Sequence, residues 1–401
     1  MKFRYAVFPY ILYILIIPAL TAHLAKPLHM DAARWETVTD IIMAAAALIG
    51  LSAVIIFRNK NFRGWLPLLL LVALVILPQL YLWHTQQKSF YYLRQICRFG
   101  LFSITLFIIP QEVHYTRKEL CLLIGCIIAW GLFCCGYEVW KNPKVWEGMY
   151  YFSGKVSTVT SIFEQRNRFG AYTALWLILC LLAVQMSKSR IWLIPAAIFA
   201  MFLFMTESRG AILLAGLYSL FSLISYRNRI GTKNLLMILL DIVLVLGLLW
   251  MIPPIRHFIT ALIDMDRGVT GRDTIWQVSW NYYLESNPFL GHGLGVQIER
   301  IMAERLQSLV STHNVYLYIL NSGGILLMLY DISSFVIILQ HKHYRRHYHI
   351  PLILAVLAYG MFELACAPFD NWHLSTMFTL CLFFFPAAAG VSHHKKHIPI
   401  H

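Results

Sequence analysis

Four arginines lie between apolar segments of this sequence, at positions where a charged side chain needs a chemical reason. Arg166 and Arg168 stand two residues apart just before an apolar segment. Arg209 is alone in the short polar break Thr-Glu-Ser-Arg-Gly, and Arg272 follows a Thr-Gly pair. A guanidinium group offers a planar fork of donors that matches phosphate oxygens, and it stays charged at any pH of interest. Together these arginines predict a binding site for a diphosphate.

Each single arginine also has a simpler explanation. Contact with lipid headgroups, or with a nearby carboxylate such as Glu164, Glu207 or Asp273, would satisfy one guanidinium group. The diphosphate interpretation therefore depends on the arginines converging from separate segments of the chain.

A histidine follows these arginines at the border between a polar and an apolar segment. His313 lies in Ser-Thr-His-Asn, directly before a long apolar run. Its neutral imidazole could accept a proton, which makes it a candidate general base. A histidine at the end of a membrane helix is also commonly an interfacial residue, so both interpretations stay open here.

Several further polar residues are weaker candidates. Asp264 and Asp266 have the spacing of a divalent-cation pair, but a solvated loop would look the same. Asp241 and Glu363 fall within apolar segments, where a carboxylate is costly unless it is paired or faces a cavity, and either could instead mark a proton pathway. A histidine cluster interleaved with basic residues is better explained as a solvated loop: His341, His343, His347 and His349.

The elements that position these groups are mainly apolar. Hydrophobic residues make up 59% of the 401 residues, while charged residues make up 13%. A soluble domain does not have this composition. Apolar runs of about 16 to 22 residues recur along the chain, and each can cross a hydrocarbon core of about 30 Å as a helix. We predict an all-α polytopic membrane protein with about twelve spans. They cover residues 5–22, 40–57, 65–83, 97–111, 119–138, 168–186, 191–206, 210–226, 235–252, 314–338, 350–367 and 372–390.

Basic residues fall in alternate loops, which predicts that those loops and both termini are cytoplasmic. They occur at 2–4, 58–63, 117–118, 188–190, 227–233, 342–346 and 395–396. Much of the net charge of +14 is this topological signal, spread in twos and threes, which argues against a nucleic-acid-binding protein.

Two segments on the opposite side are longer than the others, namely a smaller loop at 139–167 and a large loop at 253–313 between spans nine and ten. The large loop predicts helices at 273–285 and 296–309, with turns at Asn287-Pro288 and Gly291-His292-Gly293. We expect the second helix to lie along the membrane surface. Beyond the loop, Gly323-Gly324 in the tenth span predicts close approach of a neighbouring helix. The whole chain, 1–401, is predicted to form a single membrane domain.

The order of these motifs resembles the O-antigen ligase and polymerase superfamily. The resemblance is carried by Thr206-Glu207-Ser208-Arg209-Gly210-Ala211, Gly271-Arg272-Asp273 with Trp276, Asn287-Pro288 with Gly291-His292-Gly293-Leu294-Gly295, and His313-Asn314, over residues 160–325. It implies a GT-C-like membrane glycosyltransferase of the bacterial inner membrane that acts on the periplasmic face.

The resemblance also implies substrates and roles. The donor is a glycan on undecaprenyl diphosphate, the acceptor is a sugar hydroxyl of the lipid A core, and the anomeric centre inverts without a metal or another cofactor. Arg209 and Arg272 match the arginines thought to hold the diphosphate, and His313 matches the proposed base. Arg168 is a looser match, and Arg166 joins it as a candidate diphosphate contact.

Two other functions remain open. A polymerase of the same superfamily joins lipid-linked repeat units with a similar site, although the spacing from the Arg272 motif to His313 favours the ligase. A transporter of lipid-linked sugars could grip a diphosphate with the same arginines, but the chain shows no internal repeat of the kind found in many transporters.

Overall fold

The computed structural model describes residues 37–38, 40–42, 44–45, 48, 66–103, 117–143, 159–163, 165–225, 231, 237, 240, 251, 256, 272–296, 298–306, 312–340 and 349–363. The longer helices in this part are α1 (Leu66–Thr85), α2 (Phe90–Ser103), α3 (Arg117–Lys141), α4 (Arg166–Ser187), α5 (Leu193–Met205), α6 (Arg209–Ser225), α7 (Arg272–Leu284), α8 (Ile298–Leu306), α9 (Val315–Gln340) and α10 (His349–Gly360). Short 3-10 turns at Ser161–Phe163 and Arg190–Trp192 precede α4 and α5. These residues contain no β-strand, in agreement with the all-α prediction.

Three helices of this part are long and apolar enough to cross a membrane: Cys121–Lys141, Arg166–Ser187 and Val315–Ser333. Shorter apolar helices cover Leu69–Thr85, Arg190–Met205, Arg209–Ser225 and Ile350–Gly360. The chain is therefore a helical membrane protein. The number of twelve spans stays a prediction, because the spans at 5–22 and 372–390 and most of those at 40–57 and 235–252 lie outside the described residues.

One helix begins earlier than the apolar pattern indicates. We predicted a span from residue 97, but α2 starts at Phe90. Its first turns contain Arg94 and Arg98, which lower the hydropathy and so conceal the start of the helix. Both arginines donate their Nε–H to the carboxylate of Asp40, over 2.7 and 2.8 Å. The charges are therefore accommodated by an ion pair that sequence spacing does not reveal.

The chain divides into two compact units. The first comprises Met1–Leu120, Gly271–Arg345 and Gly360–His401, and the second comprises Cys121–Thr270 and Arg346–Tyr359. In the first unit, α9 packs against α1 and α7, α1 packs against α2, and α7 packs against α8. In the second unit, α4 packs against both α5 and α6.

Aromatic rings form the core of the second unit. Phe163, in the 3-10 turn before α4, stacks on Phe169 and Tyr172, with ring centroids 5.6 and 4.5 Å apart. Trp176 lies one turn further along α4 and contacts Phe199 of α5 at 5.5 Å. All five rings are fully or almost fully buried. This packing fixes the start of α4, where Arg166 and Arg168 are located.

Helix α9 is interrupted at Gly324, whose φ of 63° and ψ of −157° are accessible only to glycine among the common residues. A turn of the large loop fills the interruption. The N–H of Ile325 donates to the carbonyl of Pro288 at 2.9 Å, and that of Leu326 donates to the carbonyl of Phe289 at 3.2 Å. A Cβ at position 324 would overlap the backbone of Phe289. The partner at Gly324 is thus a turn, and not the neighbouring helix that the sequence predicted.

A buried glutamine holds the same loop on its other side. Gln79 of α1 donates its amide N–H to the carbonyl of Leu290 at 3.2 Å. Its side-chain oxygen accepts from the Tyr92 hydroxyl at 2.5 Å and from the Leu294 N–H at 3.1 Å. The side chain is 1% exposed, so these bonds are shielded from water. The glycine-rich segment after α7 is therefore fixed between α1, α2 and α9.

Candidate active site

His313 occupies a strained turn whose two neighbours are buried. Its φ is +45°, in the left-handed region that costs an L-residue about 1–2 kcal/mol. The buried Thr312 accepts a hydrogen bond on its carbonyl from Trp276 Nε1 at 3.1 Å. The buried Asn314 caps α9 by accepting from the N–H groups of Tyr316 and Leu317, at 3.0 and 3.1 Å. The backbone is thus pinned on both sides, while the imidazole stays partly exposed.

A carboxylate joins His313 to Arg272. Glu363 Oε2 lies 3.4 Å from His313 Nδ1, and Glu363 Oε1 lies 3.2 Å from Arg272 Nη2. Arg272 Nη1 also donates to the carbonyl of Phe362 at 2.8 Å. The side chains of Arg272, Glu363 and His313 are 18%, 13% and 27% exposed, so the three groups border solvent without being immersed in it. Arg272, Glu363 and His313 form the candidate active site.

This arrangement determines what the imidazole can do. An ionised carboxylate can only accept hydrogen bonds, so Glu363 favours the tautomer with the proton on Nδ1. The Nε2 atom then carries the lone pair and is the atom that could accept a proton. The separation of 3.4 Å is long for a neutral hydrogen bond, but catalytic contacts are often long without substrate and shorten in the reacting complex.

Arg272 keeps donors for a ligand. Its bonds to Phe362 and Glu363 use two of the five N–H groups of the guanidinium. The residue begins α7, as the sequence predicted for a helix starting at 273. The free N–H groups at the start of a helix favour anions, as does a guanidinium group.

Glu363 was not among the predicted site residues. The sequence showed only a carboxylate in an apolar segment, which favoured either a paired residue or a proton pathway. The structure pairs it with residues 50 and 91 positions earlier in the chain. The available signal was that a carboxylate in an apolar segment needs a partner, and Arg272 and His313 were among the polar residues that also needed a chemical reason.

In the second unit, Arg209 begins α6 directly after a tight turn. Glu207 has a φ of +50°, and Thr206 and Ser208 on either side of it are 1% exposed. Thr206 Oγ1 donates to the carbonyl of Leu203 at 2.7 Å. Gly170 of α4 packs against this turn so closely that a Cβ would overlap Ser208. The turn thus fixes Arg209 at the start of α6, which packs against α4, and leaves its side chain partly exposed.

Arg166 and Arg168 lie in the first turn of α4, in the same unit. Arg166 Nη1 is 3.4 Å from Glu207 Oε2, and both side chains are more than 40% exposed. This contact matches the simpler explanation, in which a nearby carboxylate satisfies the guanidinium. An exposed pair of this kind contributes about 0–1 kcal/mol, so Arg166 could exchange Glu207 for a phosphate at low cost.

The structure thus brings Arg272 and His313 together in one unit, and Arg209, Arg166 and Arg168 together in the other. Convergence of both sets on one substrate stays a prediction. The acidic pair Asp264 and Asp266 lies outside the described residues, as do Asp241 and the histidine cluster at 341–347.

A second polar cluster flanks α7. Arg305 of α8 forms two bonds with the Glu285 carboxylate, at 2.9 and 2.5 Å, and lies 4.8 Å from the centre of the Tyr282 ring. The His292 ring also stacks on the Tyr282 ring, with the ring centres 3.7 Å apart. Its Nε2 lies 2.8 Å from the Tyr282 carbonyl. Burial lowers the pKa of His292, and the bond to Arg305 lowers the pKa of Glu285. The His292 of the Gly-His-Gly motif therefore has a structural role here.

Comparison with known proteins finds one family that matches part of the chain. Residues 194–330 match a family described as O-antigen ligase, and the matched segment contains Arg209, Arg272 and His313. Glu363 and the start of α4 lie outside it. No curated protein matches the chain. Over residues 194–330, the chain is similar to the O-antigen ligase family.

Proposed function

We propose that this protein is an O-antigen ligase. It transfers a glycan from undecaprenyl diphosphate to a sugar hydroxyl of the lipid A core. In this proposal the protein resides in the bacterial inner membrane with both termini in the cytoplasm, and the reaction occurs on the periplasmic face. The observation that carries the proposal is the Arg272–Glu363–His313 group, in which a candidate base and a candidate diphosphate ligand share one carboxylate.

The acceptor hydroxyl is the group that needs activation. His313 Nε2 takes the hydroxyl proton as the acceptor oxygen forms its bond to the anomeric carbon, and Glu363 stabilises the resulting imidazolium. The bond between that carbon and the diphosphate oxygen breaks on the opposite side, so the configuration inverts. The electron pair leaves with the lipid diphosphate. No second carboxylate of the glycosidase type is required, because a lipid diphosphate is already a good leaving group.

The leaving diphosphate gains negative charge, and the arginines stabilise it. Arg272, Arg209, Arg168 and Arg166 are the proposed diphosphate contacts. Because Glu363 balances Arg272 in the resting protein, the pair is neutral before donor binds. As His313 becomes positive, Glu363 stabilises the imidazolium and neutralises less of the Arg272 charge. Arg272 then stabilises the negative charge of the leaving diphosphate more strongly.

A polymerase is the alternative within the same family, since ligases and polymerases share the family match. It would use the same base and arginines, with a lipid-linked repeat unit in place of the lipid A core as acceptor. A transporter of lipid-linked sugars is the alternative from another class. A histidine whose Nδ1 faces a carboxylate favours proton transfer over simple binding of a diphosphate, which supports an enzyme.

Deletion of the gene separates these functions in cells. A ligase predicts lipopolysaccharide without polymer, together with accumulation of long lipid-linked chains. Lipopolysaccharide with a single repeat unit would indicate a polymerase instead, and loss of lipid-linked glycan on the periplasmic face would indicate a transporter.

Complementation then tests the residues. Arg209→Ala, Arg272→Ala and His313→Ala should insert in the membrane and fail to restore capping. Arg300→Ala is the matched control, because Arg300 is a highly exposed arginine of α8 that pairs with Glu304 one turn away. Restoration of capping by all three site variants would overturn the mechanism.

A further inference from the structure

The second half of α7 exposes an apolar line and a polar line side by side. Trp280 and Leu284 are exposed and lie one helical turn apart. Asn281 and Glu285 are also exposed and form the adjacent line, again one turn apart. Exposure of both kinds of surface on one short helix is typical of a helix at a boundary between water and hydrocarbon.

The side of α7 that carries Trp280 and Leu284 is polar toward the start of the helix. There its exposed residues are Asp273 and Gln277. At a spacing of three to four residues, these four positions share one side of the helix. The end that carries Arg272 is therefore polar, and the other end is apolar. Tryptophan at the transition is a residue type enriched at membrane interfaces, since its ring is apolar and its N–H is polar.

The exposed apolar surface of α7 continues onto a candidate membrane span. Phe289, in the turn that follows α7, is 60% exposed, and its carbonyl bonds to the N–H of Leu326 in α9. From that point, α9 exposes apolar side chains at helical intervals: Ile325, Leu329, Ile332 and Val336. The candidate span Val315–Ser333 contains most of this line. One apolar surface thus extends from the exposed side of a membrane helix onto α7.

We propose that the second half of α7, with Phe289, is inserted into the bilayer, with Leu284 and Phe289 below the lipid headgroups. The occupant of this surface is the phospholipid bilayer, because the surface is continuous with the exposed line of α9 and ends in a polar line. Insertion holds the opposite end of α7, and with it Arg272, at the level of the headgroups. This is the depth at which the phosphates of a membrane lipid lie. The inference concerns lipid contact and does not depend on the reaction.

Site-directed spin labelling tests the insertion. p-Acetylphenylalanine is placed at position 284, 289 or 281 and coupled to a nitroxide, which leaves the native cysteines unchanged. The full-length protein is studied in bilayers of phosphatidylethanolamine and phosphatidylglycerol. Oxygen concentrates in hydrocarbon and a polar nickel chelate is excluded from it, so power saturation with each relaxant reports the depth of the label.

Labels at 284 and 289 should show a ratio of oxygen to nickel accessibility about tenfold above that at 281, corresponding to about 1.4 kcal/mol of partitioning. Position 281 is the matched control, since it is one residue from 280 on the same helix and faces the polar line. Equal, nickel-dominated accessibility at 281 and 284 would place α7 in water and overturn the inference. Low accessibility to both relaxants at 284 and 289 would show a protein partner and would also overturn it. Unchanged unfolding temperatures verify that each labelled protein is folded.

Discussion

Glu363→Gln tests the link between the candidate base and the candidate diphosphate ligand with the smallest change in shape. The carboxylate accepts from Arg272 with one oxygen and lies against His313 Nδ1 with the other. The amide that replaces it has only one oxygen, and its NH2 group is a donor. If the amide oxygen accepts from Arg272, the NH2 group faces His313 Nδ1 and favours the tautomer with the proton on Nε2, which removes the lone pair needed by a base. The variant therefore loses both the charge and the tautomer preference while the packing is retained.

The distance sets the expected loss. At 3.4 Å, a full imidazolium and a carboxylate attract by about 5 kcal/mol at an effective dielectric constant of about 20. Both side chains are partly exposed and the proton is only partly transferred in the transition state, which reduces the effect to about 2–3 kcal/mol. That corresponds to a fall in kcat of about 30- to 150-fold.

Purified protein in proteoliposomes, with lipid-diphosphate-linked donor and lipid A core acceptor, provides the assay. We expect kcat to fall while KM for the acceptor changes by less than about threefold, because the lost interaction forms mainly in the transition state. Glu363→Asp should retain part of the activity. A wild-type kcat in the Glu363→Gln variant would refute the reasoning. An equal loss of kcat in Glu363→Asp, together with a fall in unfolding temperature, would also refute it.

The remaining predictions concern the backbone and the polar cluster. His313→Gly and His313→Ala should both lose activity, but the glycine variant should unfold at the higher temperature because it relieves about 1 kcal/mol of left-handed strain. Added imidazole should restore some activity to the glycine variant. A folded glycine variant that imidazole does not rescue would argue against a base. Gly324→Ala should lower the free energy of unfolding by about 3 kcal/mol or more, since the φ and ψ of Gly324 exclude a side chain. Gly216→Ala, with open space around its Cβ, should change the unfolding temperature little. Equal effects of the two substitutions would contradict the contact between Gly324 and the turn at Phe289. Because burial lowers the pKa of His292, the unfolded chain binds a proton first as pH falls below about 6.5, and folding stability decreases there. His292→Phe, which can keep the stack on Tyr282, should flatten the stability profile between pH 6.5 and 5, and an unchanged profile would exclude this histidine as the cause.

The apolar pattern predicted several helices of the described part well. The span predicted at 168–186 coincides with α4 (Arg166–Ser187), which is long and apolar enough to cross a membrane, and the one predicted at 210–226 coincides with α6 (Arg209–Ser225), a shorter apolar helix. The helix predicted at 273–285 in the large loop is α7, within one residue at each end. These elements are set by local composition, since a long apolar run has few alternatives to a helix in a bilayer.

Features that depend on distant partners could not be predicted in the same way. The early start of α2 depends on the pairing of Arg94 and Arg98 with Asp40, more than 50 residues away. Gly324 could be recognised as a permissive residue, but its partner at Phe289 depends on how the loop folds back. The role of Glu363 likewise needed Phe362 and Glu363 to lie beside Arg272 at the start of α7.

The candidate site was predicted in its residue types more fully than in its arrangement. Arg209, Arg272 and His313 were selected because charged groups in apolar surroundings need a reason, and all three lie within the family match. The left-handed backbone of His313 could not be read from the sequence, because only a small minority of histidines adopt that conformation. It follows from the burial and bonding of Thr312 and Asn314 on either side.

Glycosidic bond formation by the purified protein tests the central claim most directly. The full-length protein in liposomes is supplied with lipid-diphosphate-linked glycan and lipid A core, and the product and the released undecaprenyl diphosphate are measured together by mass spectrometry. The proposed ligase predicts one released lipid diphosphate for each glycan joined to the core, and no product with His313→Ala. Movement of the donor across the bilayer without a new glycosidic bond, or joining of donors to each other and none to the core, would contradict it.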